Sequence, residues 1–272
     1  MAYAVKVEEQ IPNYSFPVIE QKVETSEGLI IPNSRAIVRG DTNEVLGVVK
    51  GAYKVLTHDQ ALDPILEELE KLGRNVFKKI SLTHNGARMY ANLYFKDMAQ
   101  NMGGRDDIWP GMTVVNSLDG TRKYMTELNL FRLICTNGLR VPVTFAAFSA
   151  HHSKNANFEG AFEEILDFMG DPTTFDFINR WNQIPGPTKT DEEVLVEAIT
   201  QVAETDGSKF PVRYADNVAD YYKHHEDGIT AWNFYNAFNS VIEHDIKRDK
   251  GRVERARELD GNLFQTFAKL YN

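Results

Sequence analysis

Apolar and polar residues follow two rhythms along this chain: short, roughly alternating runs in the first half, and helical spacing from about residue 157 onward. Ala36–Arg39 and Val45–Val49 are β-rich runs around the polar Asp41-Thr42-Asn43-Glu44, which predicts a hairpin. Thr57-His58-Asp59-Gln60 is a Thr-x-x-Gln capping box. Behind it Leu62, Ile65, Leu66, Leu69 and Leu72 share one helical face, and Gly73 supplies the stop. Phe77 to Phe95 alternates about Asn85-Gly86, a dipeptide suited to the positive φ of a tight turn, and reads as a second hairpin. A third is predicted from Met112–Asn116, a turn at Ser117-Leu118-Asp119-Gly120, and Thr121–Thr126. Leu128–Leu139 fits neither period, and Val141–Phe148 reads as a strand.

In the second half, Phe158, Phe162, Ile165, Leu166 and Met169 predict an amphipathic helix. Ile184-Pro185-Gly186-Pro187 is a break. A Thr-x-x-Glu box at Thr190 opens a helix to about Ala203, residues 205–217 read as a loop, and Ile229–Ile246 as a further helix, followed by a helical tail. The fold class expected is α+β: antiparallel β-hairpins packed with a long helix, then a mostly helical C-terminal part. The expected organisation is an N-terminal arm over 1–35, an α+β core domain over 36–183, and a helical region over 184–272 packed on that core. The arm mixes charges with Pro12, Pro17 and Pro32 and is expected to pack on a neighbour or on the body.

Composition narrows the classes. A length of 272 residues suits one large domain or two small ones, and an apolar fraction of 42% provides a sizeable core. No apolar run reaches the roughly 18 residues of a membrane span, and the N-terminus lacks a signal-peptide pattern, so a cytoplasmic protein is expected. The single cysteine, Cys135, forms no internal disulfide and reads as a small core residue. No Cys or His pairs stand at zinc spacing, and His224-His225-Glu226-Asp227 lacks the i, i+4 arrangement of a helical site. That segment is expected to be a solvent-facing loop, with no metal and no cofactor. The net charge of −9 excludes a surface basic all over but leaves room for one basic groove.

The candidate chemistry lies between residues 116 and 154. Asn116, Asp119 and Gly120 build a turn followed by Arg122 and Lys123. Two readings stand: an Asx-type turn that satisfies its own backbone, or a tip whose free N–H groups and two cations hold a phosphate. Arg132, Asn137 and Arg140 form a second group, in which Arg132 sits at an edge or is buried beside a carboxylate or phosphate. His151, His152 and Lys154 precede a helix, where a phosphate or a Ser153 or Asn155 cap fits. Tyr90, Tyr94 and Tyr124 are the hairpin tyrosines that could stack on bases. The tail Lys247–Arg257 reads as a solvated helix face with internal ion pairs, or as a surface lying against nucleic acid. No Walker loop, dinucleotide fingerprint, nucleophile elbow or paired-carboxylate motif is present, so no catalytic residue is assigned.

Five segments carry a resemblance. They are Asp41-Thr42 with Leu46-Gly47-Val48-Val49 and Tyr53; Asn116-Ser117-Leu118-Asp119-Gly120-Thr121; Arg132–Leu139; His152-Ser153-Lys154-Asn155; and Thr230-Ala231-Trp232 with Tyr235-Asn236-Ala237 and His244. In this order they resemble the phage- and plasmid-borne family known as domain of unknown function 932. Leu118 stands where members usually carry His, and Gly138 where they carry Thr, which speaks against a catalytic role at either position. The hairpin-rich half with its long helix is similar in outline to phage single-strand annealing proteins of the Red-beta, RecT and Erf type. The resemblance, with the cations from 122 to 154, implies a homo-oligomeric DNA-metabolism accessory that binds single-stranded DNA, an annealing protein being one form of it. Arg122, Lys123, Arg132, Arg140 and Lys154 would then meet phosphates. The alternative is a protein-interaction or counter-defence module that occupies a host protein, which the acidic charge would suit.

Overall fold

The structure, a computed structural model, describes residues 11–101, 107–132, 141–150, 176–246 and 253–271, with backbone alone at 128, 132, 141–150 and 253. Among the described residues, nine strands and six α-helices follow one another in an α+β order, with helices filling the C-terminal part. By contacts the chain divides into two compact units. The first holds Met1–Asp97, Gly111–Leu128 and Thr144–Leu166; the second holds Met98–Pro110, Asn129–Val143 and Asp167–Asn272.

The first unit opens with a three-stranded antiparallel sheet of β1 (Val18–Glu24), β2 (Ile30–Arg39) and β3 (Val45–Lys50) in that order. The β2–β3 hairpin is the one predicted. The segment expected as an arm instead carries β1 and the start of β2, with Ile19 paired to Val38 and Lys22 to Arg35. Its charges hid the strand: β1 is an edge with most of its residues exposed, so it shows no apolar alternation. Phe16, Ile37, Leu46, Val49, Ala87 and Leu118 form a small core against one face.

Helix α1 (His58–Lys71) starts where the capping box predicts, with the Gln60 carboxamide accepting from the Thr57 N–H at 3.1 Å. It buries Ala61, Leu62, Ile65 and Leu69. The longer sheet runs β4 (Val76–Thr83), β5 (Arg88–Phe95), β7 (Asp107–Ser117), β8 (Tyr124–Arg132) and β9 (Val141–Ala150), with the short β6 (Gln100–Asn101) paired to β7. The Asn85-Gly86 turn joins β4 to β5 in register Thr83 to Arg88. Asn85 and Gly86 take the positive φ values of 57° and 95° that the dipeptide permits. From Met89 to Phe95, β5 is buried at every position, so both of its faces are covered.

The second unit contains α2 (Asp176–Gln183), α3 (Glu192–Glu204), α4 (Ala215–His224), α5 (Ala231–Val241) and α6 (Val253–Leu270). Asp191, rather than Thr190, caps α3: its carboxylate accepts from the Val194 N–H at 3.2 Å. The stretch read as a loop over 205–217 contains a short turn at Val212–Tyr214 and the start of α4. This helix escapes notice because only Val218, Ala219 and Tyr222 are buried on it. Thr230 caps α5, which ends at Val241 in a wider π-type turn over Ile242–Ile246. The core of the unit is aromatic: Trp181, Trp232, Tyr235, Phe264 and Phe267 meet edge-on or tilted, and Trp232 stacks on Tyr235, with centroids 5.2–6.5 Å apart. The predicted helix over 158–169 lies outside the described residues.

Candidate nucleic-acid interface

The turn from Asn116 to Lys123 belongs wholly to the first unit, and its parts resolve the two readings of the tip. Asp119 Oδ1 accepts from the Thr121 N–H at 3.0 Å and from the Thr121 hydroxyl at 2.5 Å, while Oδ2 accepts from Arg88 Nε at 2.8 Å. Ser117 Oγ accepts from the Arg122 N–H at 3.2 Å and donates to the Arg122 carbonyl at 3.0 Å. The Leu118 N–H donates to the Ala87 carbonyl at 2.7 Å. The Tyr53 hydroxyl donates to the Ser117 carbonyl at 2.6 Å. The N–H groups of Leu118, Thr121 and Arg122 are therefore committed inside the protein. The tip is an Asx-type turn, and its backbone offers no anion nest at these three positions.

Burial pushes the Asp119 carboxyl up, but the bonds from Thr121 and Arg88 outweigh it and hold the group below the ordinary carboxylate range. Gly47 completes the fit. A Cβ there would meet Asp119 Cα at 2.8 Å, so β3 and the turn approach backbone to backbone.

Asn116 has a different task from the one the turn reading gave it. It is fully buried, and its amide donates to the Leu56 carbonyl at 2.8 Å and to His58 Nδ1 at 3.0 Å. The other ring nitrogen, His58 Nε2, lies 2.8 Å from the Gly86 carbonyl, which can only accept. Nε2 therefore carries the proton and Nδ1 receives the amide, a neutral ring fixed on both sides. Phe16 meets this ring edge-on at 5.7 Å, and the Arg39 guanidinium lies 4.1 Å from the Phe16 centroid. This assembly joins the start of α1, the β4–β5 turn and the end of β7. Sequence reasoning missed it because its members are separated by 28 and 58 residues.

Of the proposed phosphate contacts, Arg122 and Lys123 are exposed on the turn. Arg132 ends β8, with its side chain outside the described residues, as are Asn137, Arg140, Lys154, Cys135, His151 and His152. The tyrosines do not fit the stacking role. Tyr90, Tyr94 and Tyr124 each keep only 3% of their surface exposed, because the strands carrying them are covered on both faces, so none offers a ring to a base. Burial raises the Tyr124 hydroxyl to about 12. Arg255 in the tail pairs with Glu258 at 3.1 Å, and Lys247 to Arg252 lie outside the described residues.

A cleft of about 380 Å³ in the second unit was not anticipated. It is lined by Asp216, Asn217, Asp220, Tyr221, His225 and Asp245. Asn217 donates to Asp245 at 3.0 Å, and the Tyr221 ring stacks on His244 at 5.9 Å and tilts against His225 at 5.1 Å. Burial, then Asp245 and Asp220, push the Tyr221 hydroxyl up. Asp216 and Asp220 stand at i, i+4 on α4, a signal lost when that stretch is read as a loop. The segment expected as a solvent-facing loop is solvated only in part. His224, His225 and Asp227 are exposed, but Glu226 is buried and accepts from Asn233 Nδ2 at 3.2 Å. Among the described residues no group of three or more His, Cys, Asp or Glu could hold a metal ion, and no helix is long and apolar enough to cross a membrane.

Paired antiparallel sheets, a capped long helix and an aromatic helical unit define an α+β protein whose buried polar centre sits at a hairpin turn. The chain belongs to the family described as a domain of unknown function (DUF932), whose sequence model matches residues 45–262. No curated protein and no solved structure matches it.

Proposed function

We propose that this chain is a phage-type DNA-metabolism accessory that binds single-stranded DNA in the cytoplasm, with the Ser117–Lys123 tip as one backbone contact. The observation that carries this reading is the placement of two adjacent exposed cations, Arg122 and Lys123, on a turn whose backbone is anchored by internal hydrogen bonds. A cation carried on an anchored turn loses less freedom on meeting a phosphate than one on a mobile loop. Arg132, Arg140 and Lys154 enter the same proposal as further cations, and an annealing activity would follow if several copies lined up such contacts. The contact is electrostatic, because the hairpin tyrosines are buried and supply no stacking.

Fluorescence anisotropy of a labelled oligo-dT strand, titrated at several salt concentrations, tests this. Binding should weaken linearly in log–log form. The Arg122→Ala/Lys123→Ala double variant should bind more weakly, with a salt slope shallower by about 1.4, since each phosphate neutralised on a single strand adds about 0.7. Absence of binding at low salt, or an unchanged slope in the double variant, would overturn the reading.

The acidic cleft at Asp216, Asp220 and Asp245 favours a second reading, capture of a basic host protein. A stoichiometric host partner released by Asp220→Asn with Asp245→Asn, together with no oligonucleotide affinity, would place this reading first.

A further inference from the structure

We propose that the outer edge of β1 is a self-pairing surface, on which β1 of a second copy docks antiparallel about a two-fold axis through Gln21. The two three-stranded sheets then join into one. This inference is independent of the nucleic-acid reading.

Strand β1 is bonded to β2 on one side and to no described strand on the other, so one row of its N–H and C=O groups is a template for another strand. Residues 19–22 and 24 are exposed, and Ile19 keeps 43% of its surface in solvent. The sequence Val18-Ile19-Glu20-Gln21-Lys22-Val23-Glu24 selects the occupant. About a two-fold through Gln21, Glu20 stands opposite Lys22 of the second copy and Ile19 opposite Val23, with Val18 opposite Glu24 only at the strand ends, each pair occurring twice.

Other registers place their mismatches at the centre of the strand. Sliding by one residue sets Ile19 against Lys22 or Glu24; sliding by two sets Glu20 against itself or Lys22 against itself. A lone lysine on an edge normally repels a second strand, but here it meets a glutamate.

The rest of the sheet agrees. Within one chain Lys22 lies directly across from Arg35, a like-charge pair, while Glu20 already bonds Arg35. Docking gives Lys22 a counter-charge and sets Glu20 between two cations. On the other face Ile19 pairs with Val38, and Val38 with Val45; Val23 of the second copy extends this apolar row. The irregularity between Lys22 and Glu24 lies on β2, where four residues separate the partners Ile30 and Arg35 against one on β1, so the docking edge itself stays regular.

Sedimentation equilibrium of the full chain, from micromolar to sub-millimolar concentration, is the test, since a short interface binds weakly. The expected result is a concentration-dependent dimer. Lys22→Glu should weaken it about tenfold or more, and Glu20→Lys combined with Lys22→Glu should restore it. Gln21→Cys, made with Cys135→Ser, reports the register directly: on oxidation it should give a disulfide-linked dimer. A chain monomeric throughout, whether or not it captures a strand of another protein, would overturn the proposal. So would a Lys22→Glu variant that dimerises as well as the wild type, a charge swap that fails to restore the dimer, or a Gln21→Cys variant that does not cross-link.

Discussion

In the second unit Phe267 is fully buried among Trp181, Phe234, Tyr235, Phe238 and Tyr271, with ring centroids 5.2–5.8 Å away. In the first unit a comparably buried position is held by Asn116 and His58, which are joined by directed hydrogen bonds instead of ring faces. The aromatic cluster draws on burial and dispersion, which tolerate small shifts. The His58–Asn116 centre supplies modest net energy but has one permitted geometry, because each donor must find its acceptor. The first arrangement suits a region that needs stability. The second suits one in which a turn must be held at a set position.

Substitutions should separate the two modes, and the largest effect is expected in the aromatic cluster. Phe267→Ala should cost about 3–5 kcal/mol, read from denaturant unfolding, with Phe267→Leu recovering much of it because volume is restored. Asn116→Ala comes next, at about 2–3 kcal/mol, since it leaves the Leu56 carbonyl and His58 Nδ1 without their donor in a dry site. Here Asn116→Leu should not recover the loss, although it refills the space. Recovery would show that the centre works by packing and would erase the contrast between the two units.

The smallest effect is expected at Asp119→Asn, about 1–2 kcal/mol at neutral pH from the weakened bonds to Arg88 and Thr121. Its pH dependence is the sharper signature. The Asp119 carboxyl is held below its ordinary value in the fold, so its contribution is complete above the unfolded value near about 4 and is lost as pH falls through the lower folded value. The difference in unfolding midpoint between wild type and Asp119→Asn should stay level from pH about 5 to 8 and close below about 4.

Local signals were readable along the chain: the capping box at Thr57, the Asn85-Gly86 turn, the β2–β3 hairpin and the α5 face all stand where residue pattern places them. Illegible parts share a physical cause. Edge strand β1 buries too little to alternate, and α4 too few residues to show a face. Strand alternation marks two faces but does not tell that both are covered, which is why Tyr90, Tyr94 and Tyr124 read as surface residues. The Asp119 turn could be read because its bonds to Thr121 are local; the role of Asn116 could not, since its partners lie about sixty residues upstream. Asp191 in place of Thr190 at the start of α3 is a one-residue competition between two good caps.

The family match begins at Val45, the first residue of β3, whereas the small core beneath that strand also takes in Phe16 and Ile37. A fragment cut at that boundary would leave Leu46, Val49 and Leu118 facing water where those two side chains had been, and β3 with no neighbour along its ladder. Family span and hydrophobic core thus have different borders in this protein. The preceding twenty-nine residues from Phe16 to Glu44 are a lid that the remainder needs in order to stay dry.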